Sequence, residues 1–311
     1  MLLKTLRMAM YQELSRPMGD VTRWEKVLKR IILLNKNYPL HGIACNRQYF
    51  LRKYEGTLAE RNKVYNIARE SFINQGLVFF GGYAASLYSK YMNRREKTQI
   101  NTIPDFDILS EDPLTSATIL KEQLNYEGIK NVKIIKRKNI GEYIDIHYQV
   151  QVGKDIICFI YKTTACHSYN IINIDGRKVK IATIDTMLSF YLIFLYANRP
   201  YYDENRILCM SEYLFKVQLR NRLQQKGLLK RFTPTCIGYQ QTLEDIKMHK
   251  GKILERLKQG KITKSNKEYK QNFFRYIPDS NKRDISKSKS KTKVKAKTKS
   301  KRRSKTIRST R

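Results

Sequence analysis

The sequence predicts an α+β protein in which helical regions flank a mixed sheet of about five strands. Apolar residues recur at helical spacing in residues 24–35 and 57–76, whereas short apolar or alternating runs, typical of strands, cluster in the middle of the chain. Beyond residue 183 the helical spacing returns. We therefore expect a helical N-terminal region at 1–75, a sheet domain at 76–182, a helical C-terminal region at 183–279 and a tail at 280–311.

The sheet domain opens with a strand, a glycine turn and a helix. The apolar run LVFF at 77–80 stops at Gly81-Gly82, and helical spacing follows it. A polar connection at 93–104 comes next. The segment DFDILS at 105–110 then alternates with a period of two and therefore predicts a second strand.

A helix, further strands and a hairpin complete the domain. A capped helix is expected at about 114–126. The segment IINIDGRKVKIA predicts a hairpin that turns at Asp175-Gly176, because such dipeptides adopt the positive φ angles that tight turns need. Three runs predict strands, at 132–137, 142–150 and 156–163. Three later segments predict helices, at 184–198, 204–225 and 243–257.

The chain is strongly basic, because 62 Lys and Arg residues outnumber 27 Asp and Glu residues and give a formal net charge of +35. The tail at 280–311 holds 15 basic residues and one acidic residue, a net charge of +14. It has almost no apolar residues, so it cannot form a core and is expected to be disordered. The preceding 279 residues hold 47 basic and 26 acidic residues, a net charge of +21. Such a surface favours polyanions: RNA, DNA, nucleotides or anionic lipid.

Targeting and cysteine patterns favour an intracellular protein without a membrane span. The longest mainly apolar run, at 187–197, is too short to cross a bilayer, and the N-terminus lacks the pattern of a signal peptide. The five cysteines are irregularly spaced and form no CxxC motif, which argues against a disulfide framework and for a reducing compartment. Two pairs, His41 with Cys45 and Cys166 with His167, stay as minor metal-ligand candidates.

Three aspartates are the candidate metal ligands. Asp105 and Asp107 are one residue apart in a predicted strand, so both carboxylates face one side and Phe106 faces the other. Two anions this close repel each other unless a proton or a divalent cation neutralises them. Asp145 lies in IDIHY on another predicted strand, and it stands beside the first two aspartates if the strands pair. Such oxygen ligands suit Mg²⁺, which keeps waters and phosphates as further ligands.

The Gly81-Gly82 turn is the candidate phosphate site. It lies between a strand and the start of a helix, where backbone amides and the helix dipole favour an anion. The absence of a Cβ permits phosphate oxygens to approach closely. Ser86, about one turn into the helix, adds a hydroxyl group. A triphosphate on one side and metal ions on the other form the arrangement for in-line nucleotidyl transfer.

This order of elements resembles the DNA polymerase β-like nucleotidyltransferase superfamily, in which a glycine turn precedes a DxD strand and a third acidic strand residue. Within it, FFGGYAASLY and IPDFDILS are similar to the catalytic subunit of the poly(A) polymerases of large nucleocytoplasmic DNA viruses, of the poxvirus and giant-virus type. The resemblance covers about residues 70–200 and extends more loosely to FTPTCIGYQQTLEDI at 232–246. It implies a nucleotidyltransferase fold for the sheet domain.

The resemblance implies an enzyme that adds AMP from ATP to the 3′ ends of RNA and releases pyrophosphate. Asp105 and Asp107 would bind two Mg²⁺ (or Mn²⁺) ions, and Asp145 would complete the site nearest the attacking 3′ hydroxyl. The glycine turn and Ser86 would hold the ATP phosphates. A viral protein of this kind acts in the host cytoplasm or viral factory, or in the virion, and a processivity subunit or self-association stays open.

Other side chains have weaker claims to the site. Tyr148, Tyr161 and Tyr169 are candidates for binding a base, although core or rim packing is the commoner role of such tyrosines. His147 shares a side with Asp145 and is expected to be a packed histidine. The run FYLIFLY at 190–196 is expected to be core. Three basic residues beside the hairpin either meet the triphosphate or are simply solvated: Arg177, Lys178 and Lys180.

Two alternative functions stay open. The first is a nucleotidyltransferase with another acceptor, such as a tRNA, a protein or a small molecule, because the flanking helical regions select the acceptor. The second is a non-catalytic RNA-binding protein that keeps a degenerate transferase domain. The basic tail contains no aromatic residues that could read bases, so it would bind RNA through phosphates alone or serve as a localisation signal.

Overall fold

The computed structural model of the chain describes residues 2–16, 20–43, 45, 56–93, 105–140, 143–197, 199–200, 202–239 and 243–273. Most of the polar connection expected at 93–104, and the basic tail expected at 280–311, lie outside these residues. Residues Met1–Gln240 form one compact unit and Gln241–Arg311 form a second. All the described strands belong to the first unit.

In the described part of the N-terminal region, three helices precede the sheet: α1 (Leu2–Leu14), α2 (Val21–Asn37) and α3 (Leu58–Asn74). α3 begins at a capping box, in which the Thr57 hydroxyl accepts from the Glu60 N–H and the Glu60 carboxylate accepts from the Thr57 N–H. Just after the helix, Gly76 has a φ of +64°, the left-handed geometry that stops a helix. The helix expected at 57–76 is therefore confirmed.

The sheet has eight strands among the described residues, not about five. They are β1 (Val78–Phe79), β2 (Phe106–Ser110), β3 (Val132–Arg137), β4 (His147–Val152), β5 (Asp155–Lys162), β6 (His167–Ile174), β7 (Arg177–Ala182) and β8 (Cys236–Ile237). Their order across the sheet is β3-β4-β5-β2-β1-β7-β6-β8. The sheet is wider than expected because β7 pairs with β1 and thereby joins the whole hairpin, followed by β8, to the central strands.

β2 lies near the centre of the sheet, antiparallel to β1 and parallel to β5. The β6–β7 hairpin turns at Asp175 and Gly176, whose φ angles are 51° and 78°. Two consecutive positive φ angles define the tight turn whose twist matches paired strands. The hairpin that the Asp-Gly dipeptide predicts is therefore confirmed.

Six more helices follow β1 within the described residues: α4 (Gly82–Tyr88), α5 (Pro113–Tyr126), α6 (Ile184–Ala197), α7 (Glu204–Arg220), α8 (Leu243–Lys258) and α9 (Lys267–Asn272). The expected bounds agree within about one residue for α5, α6 and α8, whereas α7 ends five residues before the expected position 225. Every described helix falls short of the length and apolar character that crossing a membrane requires.

Aromatic side chains fill the core on both faces of the sheet. On one face Phe106 of β2 packs against Phe72 of α3, with ring centroids 5.7 Å apart. On the other face Phe80 packs against Tyr161 of β5 at 5.3 Å and against Phe190 of α6 at 4.6 Å. Each such buried ring contributes about 2–3 kcal/mol of transfer free energy, so these two layers fix α3 and α6 against the central strands.

A buried ion pair ties the segment after α7 to α6. The Arg231 guanidinium donates from Nε and Nη2 to the two carboxylate oxygens of Asp185, at 3.0 and 2.6 Å. Gln218 of α7 donates to the same carboxylate at 2.9 Å. The side chains of Asp185 and Arg231 are 0% and 5% exposed, so water does not screen the pair.

The structure corrects the expectation about the cysteines. Cys45 is disulfide-bonded to Cys209, and Cys166 is disulfide-bonded to Cys236, while Cys158 is buried in β5. The partners are 164 and 70 residues apart, so their spacing along the sequence carried no sign of their proximity. The pairing does not by itself identify a compartment, but it removes both cysteines from the two minor metal-ligand candidates.

Candidate active site

The two aspartates of the DFD segment lie side by side at the start of β2. Asp105 immediately precedes the strand and Asp107 is its second residue, and both side chains are partly exposed. Between them Phe106 is 2% exposed and packs into the opposite face of the sheet. The alternation of strand side chains thus holds both carboxylates on one face, as the sequence predicts.

The glycine turn holds this aspartate strand in place. The Phe80 N–H donates to the Asp107 carbonyl at 2.9 Å, and the Tyr83 N–H donates to the Asp105 carbonyl at 3.2 Å. A Cβ on Gly81 would lie 2.6 Å from the Asp107 Cβ, closer than real Cβ atoms approach. Gly81 is therefore required for the close approach of the Asp107 side chain, although its φ of −89° is open to any residue.

A cavity of about 80 Å³ lies in front of the two carboxylates. The glycine turn contributes Gly82, and the first turns of α7 contribute a second, helical wall. Aromatic side chains form most of the remaining wall, from β5, from α6 and from the connection before α7. The aromatic residues are Phe159, Tyr161, Tyr191, Phe194 and Tyr202, and the α7 side supplies Asp203, Arg206, Ile207 and Met210.

Arg206 is the cation of this pocket. Its Nη2 donates to Oδ1 of Asp105 at 2.7 Å, and the two side chains are 34% and 22% exposed. The charge of Asp105, more than any other group, raises the pKa of Arg206 above its ordinary value. Sequence reasoning missed this residue because it lies 101 positions after Asp105 in an ordinary amphipathic helix, with no local signal.

Tyr191 of α6 brings a buried hydroxyl to the pocket. The residue is 5% exposed and lines the cavity, and its hydroxyl has no hydrogen-bond partner among the described residues. Burial raises the pKa of this hydroxyl, and the negative charges of Asp107 and Asp105 raise it further. The run at 190–196 is thus core only in part, because Tyr191 and Phe194 also form the pocket wall.

Asp145 does not join the two aspartates. It lies two residues before β4, and β5 separates β4 from β2. In the sheet, Asp107 of β2 lies beside Phe159 of β5, and Phe159 lies beside Gln149 of β4. Asp145 precedes Gln149 by four residues, so it is offset from this cross-strand row. If the strand spacing continued back to Asp145, this offset would amount to about 13 Å along the strands and about 10 Å across them. The role of Asp145 as a third ligand therefore stays a prediction, because the strand beside β2 is β5, which places Phe159 next to Asp107.

The remaining predicted residues also lie outside the pocket, apart from Tyr161. Ser86 does not line it, and its hydroxyl donates to the Tyr83 carbonyl of its own helix at 2.7 Å. His147 is fully buried and stacks on Tyr161 with centroids 4.9 Å apart, which confirms the packed histidine. Tyr148, Tyr169 and the three basic residues of the hairpin do not line the cavity either, and Arg177 pairs with Glu70.

The donor set suits a Mg²⁺ ion held by few protein ligands. Asp105 and Asp107 face one cavity, and Asp203, which caps α7 by accepting from the Arg206 N–H at 2.9 Å, also lines it. Within the described part of the chain, no group of three or more His, Cys, Asp or Glu side chains converges on a metal position. Mg²⁺ is commonly held by one or two carboxylates together with substrate phosphates, so the Asp105–Asp107 pair fits.

The fold is similar to that of the Megavirus polyadenylate synthase. The crystal structure of that protein superposes with a TM-score of 0.60 over 91% of this chain, at 16% sequence identity. This similarity confirms the α+β fold that the sequence predicts, and that fold is shared with the Megavirus protein. The match covers 59% of the Megavirus chain, so this chain spans about three fifths of that protein.

Other comparisons add little to this one. The solution structure of the antibiotic-resistance factor ANT(2″)-Ia matches 54% of this chain and 94% of its own, at 13% identity and a TM-score of 0.31, too low to support an argument about the fold. No protein-family model matches the sequence, and no curated protein matches it either.

Proposed function

We propose that this chain is a nucleotidyltransferase that adds AMP from ATP to the 3′ ends of RNA and releases pyrophosphate. One observation carries the proposal: Asp105 and Asp107 lie side by side and face a pocket, and backbone hydrogen bonds join them to the residues that flank the glycine turn. The fold in which they occur is similar to that of a viral polyadenylate synthase. The choice of RNA and of ATP rests on the name of that protein and on the basic charge of this chain.

The two aspartates are the proposed ligands of Mg²⁺ or Mn²⁺. Bound there, the ion would offset the negative charge of the triphosphate and of the attacking oxygen. Gly81 keeps the Asp107 carboxylate close to the turn, and Phe106 anchors the strand in the core, so the spacing between the carboxylates is set by rigid elements. Asp145 has no part in this proposal, because the register places it beyond the far end of β2.

Two donors of the pocket are proposed to bind the phosphates. The Tyr191 hydroxyl is buried beside Asp105 and Asp107 and can donate to a phosphate oxygen. The Arg206 guanidinium pairs with Asp105 through Nη2. A planar guanidinium also matches phosphate oxygens, so it can orient the leaving pyrophosphate.

The aromatic wall is the proposed site for the base. Tyr161 and Tyr202 lie with their hydroxyls 3.5 Å apart, and Tyr202 stacks on Phe194 with centroids 4.4 Å apart. Ring faces favour stacking with a base, and hydroxyl groups can select its polar edge. Of the three tyrosines that the sequence suggests for this role, Tyr161 alone lines the pocket.

A second candidate function is a non-catalytic RNA-binding protein. It is favoured by Phe159, which faces Asp107 from the neighbouring strand where a third carboxylate would complete the metal site. It is also favoured by the ion pair of Arg206 with Asp105, which occupies one of the two carboxylates. The two functions differ in whether the chain incorporates AMP when RNA, ATP and Mg²⁺ are all present.

Primer extension with the Asp107→Asn variant tests the proposal. We expect the wild-type chain to lengthen an RNA primer with ATP and Mg²⁺, and the variant to lose at least about a hundredfold in rate, because one of two charged ligands is gone. Asp175→Asn is the matched control: it removes the same charge at an exposed hairpin turn, where asparagine is well tolerated.

The outcomes separate the two candidates. Full activity of Asp107→Asn would overturn the site assignment. A wild-type chain that binds RNA but incorporates none of the four nucleotides would favour the non-catalytic function. If the chain adds a single nucleotide, or long tails of a nucleotide other than AMP, the proposal of nucleotidyl transfer would stand and that of polyadenylation would be overturned.

A further inference from the structure

A second and larger cavity lies against different faces of the same two helices. Its volume is about 730 Å³, within the range of sites that hold small molecules. α6 lines it with Leu192, Leu195 and Tyr196, whereas the same helix turns Tyr191 and Phe194 toward the aspartate pocket. α1, α7 and the segment at 39–41 form the other walls. We refer to it as the Arg7 cavity.

Apolar side chains form the larger part of the walls of the Arg7 cavity, and Lys4, Thr5, His41 and Glu204 also line it. Leu192 is 3% exposed and Leu40 is also 3% exposed, and Leu195, Leu208 and Ile140 complete an apolar lining. Such a surface favours the apolar body of a ligand, because each apolar group that leaves water gains free energy in proportion to its area.

Arg7 of α1 places a buried positive charge in this wall. The residue is 4% exposed, and its Nη2 donates to the Tyr38 carbonyl. Its Nε is buried and has no hydrogen-bond partner among the described residues. Buried charges in proteins are normally paired, because an isolated charge away from water is costly.

No carboxylate within the described residues lies within ion-pair distance of Arg7. Glu204 lines the same cavity, but it pairs with Lys4 at 3.2 Å, and both side chains are more than half exposed. Glu212 likewise pairs with His41 and Lys216. Burial lowers the pKa of the Arg7 guanidinium, and the nearby Tyr11 only partly offsets this effect. The cavity therefore carries an uncompensated cation.

We propose that the Arg7 cavity binds a small amphipathic anion, whose carboxylate or phosphate group pairs with Arg7 and whose apolar body lies against Leu192 and Leu195. The anion supplies the counter-charge that the described residues lack, and the body fills the aliphatic walls. A fatty acid and an alkyl phosphate share this chemistry. This inference does not depend on the proposed nucleotidyl transfer.

Calorimetric titration of the full chain tests the proposal with four probes: decanoate, decyl phosphate, decanol and inorganic phosphate. We expect decanoate or decyl phosphate to bind at least about tenfold more tightly than decanol, which has a similar chain without the charge. Inorganic phosphate should bind far more weakly than decyl phosphate. The preferred anion identifies the head group as a carboxylate or a phosphate.

The Arg7→Met variant isolates the contribution of the charge. It should lose at least about tenfold in affinity for the preferred anion and bind decanol unchanged. Its melting temperature without ligand should be equal to or above that of the wild type, because an apolar side chain replaces an unpaired buried charge. The matched control is Arg30→Met, which removes an exposed arginine of α2 and should leave binding unaffected.

A second variant keeps the proposal testable if Arg7→Met does not fold. Leu195→Trp retains the charge and fills the apolar side of the cavity, so it should abolish binding of the preferred anion. Equal affinity for decanol and both anions, unchanged anion binding in either variant, or no binding of any amphiphile would overturn the proposal. Binding of inorganic phosphate as tight as that of decyl phosphate would overturn the role of the apolar walls.

Discussion

Two aspartate–arginine pairs, Asp185 with Arg231 and Asp105 with Arg206, contain the same side chains in different surroundings. The first is buried at 0% and 5% exposure, has two hydrogen bonds to the arginine and is completed by Gln218. The second lies in a pocket at 22% and 34% exposure, and there Nη2 of Arg206 donates to Oδ1 of Asp105. Loss of one partner of the first pair would therefore leave a buried charge unpaired, whereas water can reach both charges of the second pair.

The largest expected effect is on stability, from Asp185→Asn. This change leaves Arg231 buried without a counter-charge, which costs about 3–5 kcal/mol when one partner of a buried pair is removed. The free energy of unfolding from urea denaturation measures the loss. A loss below about 1 kcal/mol would mean that water reaches the pair, and the contrast with Asp105 would disappear.

The same substitution at Asp105 should lower the activity strongly and the free energy of unfolding only slightly. Asp105→Asn removes a proposed metal ligand, so the rate of AMP incorporation should fall by at least about a hundredfold, or about 2.7 kcal/mol. Unfolding free energy should change by less than about 1 kcal/mol, because Arg206 is partly exposed and water can solvate it. A large loss of stability with normal activity would show that this pair is structural after all.

A smaller effect is expected from Tyr191→Phe. The change removes only the buried hydroxyl, so the loss should be about 1 kcal/mol of substrate binding, or about fivefold in kcat/KM. Stability should be unchanged or slightly raised, because this hydroxyl has no hydrogen-bond partner among the described residues. Steady-state kinetics with varied ATP measures the effect, and unchanged kcat/KM would remove Tyr191 from the site.

The smallest effect is expected from Asp145→Asn. The register places this residue far from Asp105 and Asp107, so AMP incorporation should stay within about twofold of the wild type. The three-aspartate site that the sequence suggested predicts instead a loss as large as that of Asp105→Asn. Comparing the two variants in one primer-extension assay decides between these alternatives.

Local patterns predicted much of the fold. The strands at 77–80, 105–110, 132–137 and 156–163, the Asp-Gly hairpin and the helices around them all occur close to their expected bounds. Each depends on side-chain alternation, helical spacing or turn residues within a few positions of the element itself. The same alternation placed Asp105 and Asp107 on one face and Phe106 on the other, and the structure agrees.

Contacts between distant segments could not be predicted in this way. The sequence suggested that the Asp145 segment pairs with the aspartate strand, yet β5 takes that position, because strand order depends on how whole faces are buried. The cysteine pairs, Arg206 at the pocket and Arg231 on Asp185 likewise join residues 46 to 164 positions apart.

The sequence by itself thus determined the fold class, the individual strands and turns, and the pair of aspartates with its glycine turn. Only the tertiary structure decided that Phe159 rather than Asp145 faces Asp107, and that Tyr191 and Arg206 complete the pocket. The tertiary structure also buries Arg7 at a second cavity, where no carboxylate among the described residues forms an ion pair with it. The physical reason is that backbone geometry repeats locally, whereas pairing and burial are set by packing across the whole chain.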